Sequence, residues 1–382
     1  MSEKTNKPHL TIIILVDALG WDVAQEFGFC RDLLPRSGPL DTVLGYSSAA
    51  IPSLLSGTSP SMHGAWAMYR YAPSESPYKL LRYLPELPHP MEWRLRALTR
   101  RFMAWRKTVK GYHDLYEIPL KLLGHFDVAQ RGDPYTPGGM SKETFIDHFA
   151  TAGIRFVSWT YRTPETDNFE ALSEAVDSDS QVLFLYTAEL DALMHRLGTH
   201  HTDVGEKLRY YESRVRGALE AASRVGREVT VFVFSDHGMT NVKKIIDLKA
   251  KVDDWGVAKR RDTVAFYDST MGRFWCDPLV RAELTERLNA TGWGRVLSDS
   301  ELEELGCRFE DHSYGDLIFL ADPGNLIVPS FMGKEPLAAM HGYHPNDSHS
   351  RGCFFTNHAS CPLPESILDI KDAMVEHVME NS

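Results

Sequence analysis

The sequence predicts an α/β fold, a mostly parallel sheet flanked by helices on both faces and carrying inserted cap units. Three observations lead there. Apolar runs at residues 10–16, 181–186 and 229–234 are almost free of charge, as strands buried on both faces must be. Helix-period segments at 165–176 and 204–225 alternate with them. Two of the runs stop abruptly on a carboxylate, Asp17 and Asp236, at the strand end where open α/β sheets place their ligands.

The elements follow in order. Residues 10–16 form a first strand and a helix starts at Trp21. A short second strand is expected at 39–44, then a helix over 47–55 with two serines in its first turn, ended by Gly57 and Pro60. Between about 72 and 139 the character changes. Prolines are frequent, and Trp93, Phe102, Trp105, Tyr112 and Tyr116 are interleaved with Arg94, Arg96, Arg100, Arg101, Arg106, Lys107 and Lys110. This segment reads as a mostly helical insertion over the carboxyl ends of the sheet, either a solvated basic face or a lid for an anionic or lipid-bearing substrate. Strand, helix and strand resume at 154–158, 165–176 and 181–186, and a long amphipathic helix at 204–225 precedes the strand at 229–234. A second, α+β insertion is expected at 247–322, with strands at 263–267, 273–276 and 317–320 and a helix at 278–288. The chain returns to the main domain with a strand at 353–356 and a last helix from Pro364.

The 382 residues suffice for one main domain, and 43 % hydrophobic with 24 % charged residues is ordinary for a globular protein. A net charge of -11 argues against a general nucleic-acid surface. The five cysteines are scattered without a CxxC pair, so neither a disulfide framework nor a thiolate metal site is indicated. The first apolar run is too short for a signal peptide and ends on Asp17, and nothing approaches the ~20 apolar residues of a membrane span. The expectation is a soluble cytoplasmic protein.

The chemistry-bearing residues cluster in kind. Asp236 and His237 stand side by side after a buried strand, and Gly238 frees the loop to aim both at one point. Asp and His together suit a borderline metal such as zinc, although Asp236 alone also reads as a helix cap. Asp191 and His195 are four apart, one helical turn, an arrangement that ordinary exposed helices also show. Asp17 ends a neighbouring strand, His341 lies in a loop-like Met-His-Gly-Tyr stretch, and Ser47 opens a helix whose free N–H groups favour a phosphate. Three Asp, three His and a hydroxyl suit two metal ions about 4 Å apart, one activating Ser47 and the other a substrate oxygen and then water.

The order and spacing resemble the alkaline phosphatase superfamily, in its type I phosphodiesterase/nucleotide pyrophosphatase branch. That family places a Thr or Ser nucleophile nine residues before a Thr-Gly pair, followed by Pro-x-x-His-Gly; here Ser47 is nine before Ser56-Gly57, and Pro60-Ser61-Met62-His63-Gly64 follows. The resemblance implies that Asp17, Asp236 and His237 hold the ion that activates Ser47, and that Asp191, His195 and His341 hold the second. His63 is not a ligand in that pattern and reads as structural. The ions implied are zinc, with manganese or magnesium as alternatives, and the substrate is a small phosphate ester or pyrophosphate, with lipid- and sugar-linked ones included. Departures exist: Met68 stands where the branch usually has Asn, His344 where Asp is common, and Ser48 adjoins Ser47. The sulfatase pattern of Cys or Ser followed by x-Pro-x-Arg is missing at residues 47–51. Three rival readings remain: a phosphomonoesterase or phosphonate hydrolase on the same site, a metal-free serine hydrolase using Gly45-Tyr46-Ser47-Ser48-Ala49 as a nucleophile elbow, and a binding protein with a degenerate site.

Overall fold

The structure is a computed structural model describing residues 7–85, 89–106, 109–257 and 263–382. Its main sheet has six strands: β1 (Leu10–Val16), β2 (Arg36–Leu40), β3 (Phe156–Trp159), β4 (Val182–Thr187), β5 (Val229–Phe234) and β6 (Gly352–Thr356). The spatial order is β2-β6-β5-β1-β4-β3. Strands β5, β1, β4 and β3 run parallel, and β6 is antiparallel to both β5 and β2.

The centre of the sheet is β1, because its seven residues are all buried. Ile12, Ile14 and Val16 face one layer, with Leu190 and Met194 from helix α3 (Glu189–Leu197) and Val204, Leu208 and Val215 from helix α4 (Thr202–Arg224). Ile13 and Leu15 face the other, with Ala49, Leu54 and Leu55 of helix α1 (Ser47–Ser56), the helix at Phe145–Thr151 and the last helix at Ile370–Glu380. Period-2 burial on both faces explains why the run carries no polar alternation.

Most elements lie within about two residues of the sequence expectation, and two boundaries differ by more. The second strand lies at Arg36–Leu40 rather than 39–44, with Arg36, Ser37, Gly38 and Pro39 opposite Thr356, Phe355, Phe354 and Cys353. It is an edge strand, where proline and small residues are tolerated and apolar periodicity is weak. The last helix begins at Ile370 rather than at Pro364, after a short turn at Ile367–Asp369 that opens with a capping box between Ser366 and Asp369.

Residues 72–139 are less helical than expected. Their long helix is α2 (His89–Arg106); short helical turns at Lys79–Tyr83 and Leu120–Leu123 and the strand Phe126–Val128, paired with Tyr69–Tyr71, complete the regular part. Proline-rich stretches cannot sustain the ladder, so much of the rest is loop. The side chains of Trp93, Phe102, Trp105 and Arg106, and the whole of Lys107, lie outside the described residues. The segment 247–322 builds a four-stranded antiparallel sheet from Val264–Tyr267, Met271–Trp275, Leu317–Ala321 and Gly294–Val296. Its apolar face shares one core with residues 69–128, including Tyr69, Ile118, Phe126, Phe266, Trp275 and Phe319. All five cysteines are free thiols. Among the described residues no helix is long and apolar enough to cross a membrane.

Candidate metal centre and nucleophile

The carboxyl ends of β1, β4 and β5 lie side by side, because β1 pairs in parallel with both others. Asp17 follows β1, Asp236 and His237 follow β5, and α3, which starts two residues after β4, carries Asp191 and His195. His341 arrives on the return segment, after a short strand at Ala339–Met340 that pairs with Thr240–Asn241 beyond β5. Four separate stretches of chain therefore meet at one end of the sheet.

They form two triads. Asp17, Asp236 and His237 offer ligand atoms within 4.8 Å of one another, and Asp191, His195 and His341 do the same. In the first, His237 Nε2 lies 3.2 Å from Asp236 Oδ2 and 3.5 Å from Asp17 Oδ1. In the second, Asp191 Oδ1 lies 3.2 Å from His195 Nε2 and 3.5 Å from His341 Nε2. The imidazoles of His237 and His341 stack at 4.0 Å between centroids and 17°, joining the triads. Ser47 Oγ lies 3.0 Å from His237 Nε2 and 3.3 Å from Asp17 Oδ1.

The donor set fits cations. Asp236 Oδ2 and Asp191 Oδ1 are buried without a hydrogen-bond partner among the described residues, although each has an imidazole nitrogen 3.2 Å away. Lone-pair atoms held together without a shared proton are what a cation between them requires. The tautomers agree. His195 Nδ1 is 2.9 Å from the Ala339 carbonyl and His237 Nδ1 is 3.0 Å from the Gly238 carbonyl. A carbonyl accepts only, so each Nδ1 carries the proton and each Nε2 lone pair faces its triad.

Electrostatics point the same way. Burial pushes the Asp17 carboxyl well above the usual carboxylate range, and the charges of Asp236 and Asp191 push it further. Burial raises Asp236 as well. His341 is held well below the ordinary imidazole value by burial and by His237 and His195. Burial works against the His195 imidazolium, but Asp191 and the Ala339 carbonyl outweigh it and the net shift is upward. Carboxylates this buried and this close together repel unless positive charge stands among them.

Supporting residues complete the site, and two of them, Tyr186 and Tyr135, carry no signal in the sequence. Tyr186, the penultimate residue of β4, donates to Asp17 Oδ2 at 2.5 Å, and Tyr135 stacks on its ring at 4.9 Å. Burial raises both phenols, so Tyr186 remains a donor. Within an apolar strand a tyrosine reads as packing, and only the register reveals that its hydroxyl reaches Asp17. Tyr46, which precedes α1, meets the His341 ring edge-on at 5.6 Å and bonds Thr270 Oγ1 at 2.7 Å. Gly238 is required by close approach, since a Cβ there would lie 2.1 Å from the His349 carbonyl oxygen.

His63 is placed apart from both triads. Ala65 N donates to its Nδ1 at 3.2 Å, so Nε2 carries the proton and bonds Ser53 Oγ at 2.9 Å. Met68 lines the same cavity as Ser47. His344 does not join the triads but pairs with Glu301 at 3.3 Å.

Ser47, Ser48, Asp17, Asp191, His195 and His341 open into a cavity of ≈ 820 Å³. Its walls are largely aromatic or apolar, with Tyr112, Tyr116 and Tyr135 from residues 72–139, Phe266 from residues 247–322, and Tyr69 and Met332 from outside both insertions. Among the described lining residues Lys334 is the single Lys or Arg, and it is paired with Glu117 at 2.9 Å.

Comparison with known proteins bears on the fold and the family. Murine ectonucleotide pyrophosphatase/phosphodiesterase 5 superposes with a TM-score of 0.69 at 14% sequence identity, covering 97% of this chain and 95% of that one. An inactive variant of the murine protein in complex with AMP gives 0.66 at 15% identity, with 98% and 96% covered. The human counterpart gives 0.67 at 13% identity, with 97% and 95% covered. These likenesses establish the fold, a central mostly parallel sheet between helices. A search of curated proteins returned no match. The family model for type I phosphodiesterase/nucleotide pyrophosphatase matches residues 11–344, nearly the whole chain, and the protein belongs to that family.

Proposed function

We propose that the protein hydrolyses a phosphodiester or pyrophosphate bond with two divalent metal ions and with Ser47 as nucleophile. One observation carries the reading: Ser47 Oγ, at the amino end of α1, lies against one Asp/Asp/His triad while the Asp/His/His triad stacks beside it. Asp17, Asp236 and His237 would hold one ion, and Asp191, His195 and His341 the other. Zinc suits this nitrogen and oxygen set, and manganese or magnesium would also be accepted. Bound there, such ions supply positive charge that acidifies a hydroxyl or water and offsets the charge on a phosphoryl group.

The chain's own residues do the remaining work. Ser47 Oγ forms a bond to phosphorus as its proton passes to solvent, and the bond from phosphorus to the leaving-group oxygen breaks. That oxygen takes up a proton. The free N–H groups in the first turn of α1 face the phosphoryl oxygens. Water then attacks the phosphoserine, releasing a phosphate monoester and restoring the Ser47 hydroxyl. The aromatic walls hold the leaving group away from water.

The cavity favours diesters over monoesters. A monoester near neutral pH is close to a dianion and calls for an additional cation, whereas Lys334 is already paired with Glu117. Because a relative is known in complex with AMP, nucleotides belong among the substrates to be tried. Bis-p-nitrophenyl phosphate, p-nitrophenyl phosphate and nucleotide sugars, assayed side by side, test the assignment. A clear preference for p-nitrophenyl phosphate would move it to the phosphomonoesterase or phosphonate reading.

A second reading has one observation in its favour. Ser47 Oγ and His237 Nε2 are 3.0 Å apart, as in a metal-free serine hydrolase. However, His237 Nδ1 is committed to a carbonyl rather than a carboxylate, and the second triad would have no task. Full activity after exhaustive chelation would select this alternative.

A further inference from the structure

Helix α2 shows one face to the molecule and another to solvent. On the inner face Leu95 packs into the cap core, and Arg96 donates to the carbonyls of Tyr116 and Ile118 at 2.6 Å each. Arg100 pairs with Asp114 at 2.7 Å, and the Asp114 carbonyl accepts from Tyr69 OH at 2.6 Å. The helix is thus fastened to the segment whose Tyr112 and Tyr116, together with Tyr69, line the cavity. Tyr112 is itself 59 % exposed and marks the mouth.

The outer face is unpartnered among the described residues. Met91, Arg94, Leu98 and Arg101 follow one another at helical spacing and all are exposed, Met91 at 55 % and Leu98 at 61 %. The turn at Lys79–Tyr83 adds Leu80 at 76 % and Tyr83 at 80 % exposure, next to the exposed Lys79. This turn packs on the helix at Leu120–Leu123, and α2 reaches the same helix through Glu92, which accepts from Leu120 N at 3.4 Å. Large apolar side chains interspersed with unpaired cations are unusual on a chain of net charge -11, whose overall field repels anions.

We propose that this face docks on an anionic lipid bilayer, with Met91, Leu98, Leu80 and Tyr83 entering the headgroup boundary and Arg94, Arg101 and Lys79 meeting lipid phosphates. Charge complementarity decides for a bilayer over a purely apolar partner: apolar groups alternating with free cations match an interface that is apolar within and anionic at its surface. Docking would bring the cavity mouth to the lipid headgroups. That consequence, though not the docking itself, rests on the phosphodiesterase reading.

Co-sedimentation of the full chain with vesicles tests the proposal. Binding is expected to phosphatidylcholine vesicles containing phosphatidylserine, falling steeply with added salt. Arg94→Glu with Arg101→Glu should weaken it by roughly thirtyfold or more, each cation near such a surface counting for about a fivefold factor. Met91→Asp with Leu98→Asp should abolish it. Both double variants should keep the wild-type circular dichroism spectrum and melting temperature, which shows them folded, and Ser47→Ala should bind vesicles normally whether or not it is inactive. Equal binding to pure phosphatidylcholine, no binding at low salt, or binding that survives both double variants overturns the proposal. So does light scattering that finds a dimer in the wild type and monomers in the variants, because the face would then belong to a second copy of the chain.

Discussion

Ser47 stands where a helix amino end, a carboxylate and an imidazole meet, whereas its neighbour Ser48 also lines the cavity but among the described residues has no hydrogen bond to either triad. The two serines therefore separate the chemistry cleanly. Ser47→Ala should retain its metal, since Asp17, Asp236 and His237 remain, and should lose turnover by ~10³-fold or more. Ser48→Ala should lose far less. Mass spectrometry of acid-quenched wild type should place the phosphoryl group on Ser47, and finding it on Ser48 would reassign the nucleophile. Tyr186 allows a subtler test. Tyr186→Phe removes the donor from Asp17 Oδ2 but keeps the ring stacked on Tyr135, so the fold should persist while metal affinity falls about 10–100-fold, read by metal content after dialysis. Unchanged metal retention would make Tyr186 a packing residue only. Asp17, Asp236 and His237 are legible as candidates at the ends of two apolar strands, whereas Asp191, His195 and His341 join them in the sequence only through the resemblance in order and spacing. Tyr186 is not legible, since its role depends on which strand lies beside β1.

Helix α1 depends on a brace that the residue pattern alone only hints at. His63 accepts from Ala65 N through Nδ1 and bonds Ser53 Oγ through Nε2, tying the buried inner face of the helix to the turn after it. Burial pushes the His63 pKa down to about 4 from the ordinary 6.5. Protonating Nδ1 would turn the acceptor into a donor facing a donor. The sign follows: between the folded and unfolded values the native state binds fewer protons than the unfolded one, so stability rises with pH. Its contribution is fully present above about 6.5 and is lost as pH falls towards about 4. Urea midpoints measured across that window should fall on the acid side in the wild type. His63→Gln should be less stable at neutral pH, by ~1–3 kcal/mol, and should show a shallower acid slope. An identical slope in the two proteins would assign the effect elsewhere, with His377, also lowered to about 4 by burial, as the first place to look. Elements with a strong apolar period, such as β1, β5 and α4, are fixed closely by their sequences. The edge strand β2 and the loops of residues 72–139 are not, because their positions are set by partners far along the chain: Phe354 and Phe355 for the first, the shared core with Phe266 and Phe319 for the second.

At the scale of the whole molecule the site is also a fastening. Its ligands come from the end of β1, from α3, from the end of β5 and from the return segment before β6, positions as far apart in sequence as Asp17 and His341. Ions bound there would join stretches that only the folded chain brings together, so they would favour the native state over the unfolded one. Each site would contribute about 2.7 kcal/mol when free metal stands at 100 times its dissociation constant. Without ions, the buried carboxylates of Asp17 and Asp236 face each other in a medium that disfavours their charge. Chelation should accordingly lower the melting temperature by several degrees and abolish hydrolysis, and readdition of zinc or manganese should restore both. Elemental analysis should find about two ions per chain in the wild type. In Asp191→Ala, which leaves the Asp17 triad intact, it should find about one. That variant should also recover only part of the melting shift on readdition, since one of the two ties is gone. A chelated wild type that melts and turns over as before would remove the metal from both stability and mechanism, leaving the pair of Ser47 and His237 as the remaining route to hydrolysis.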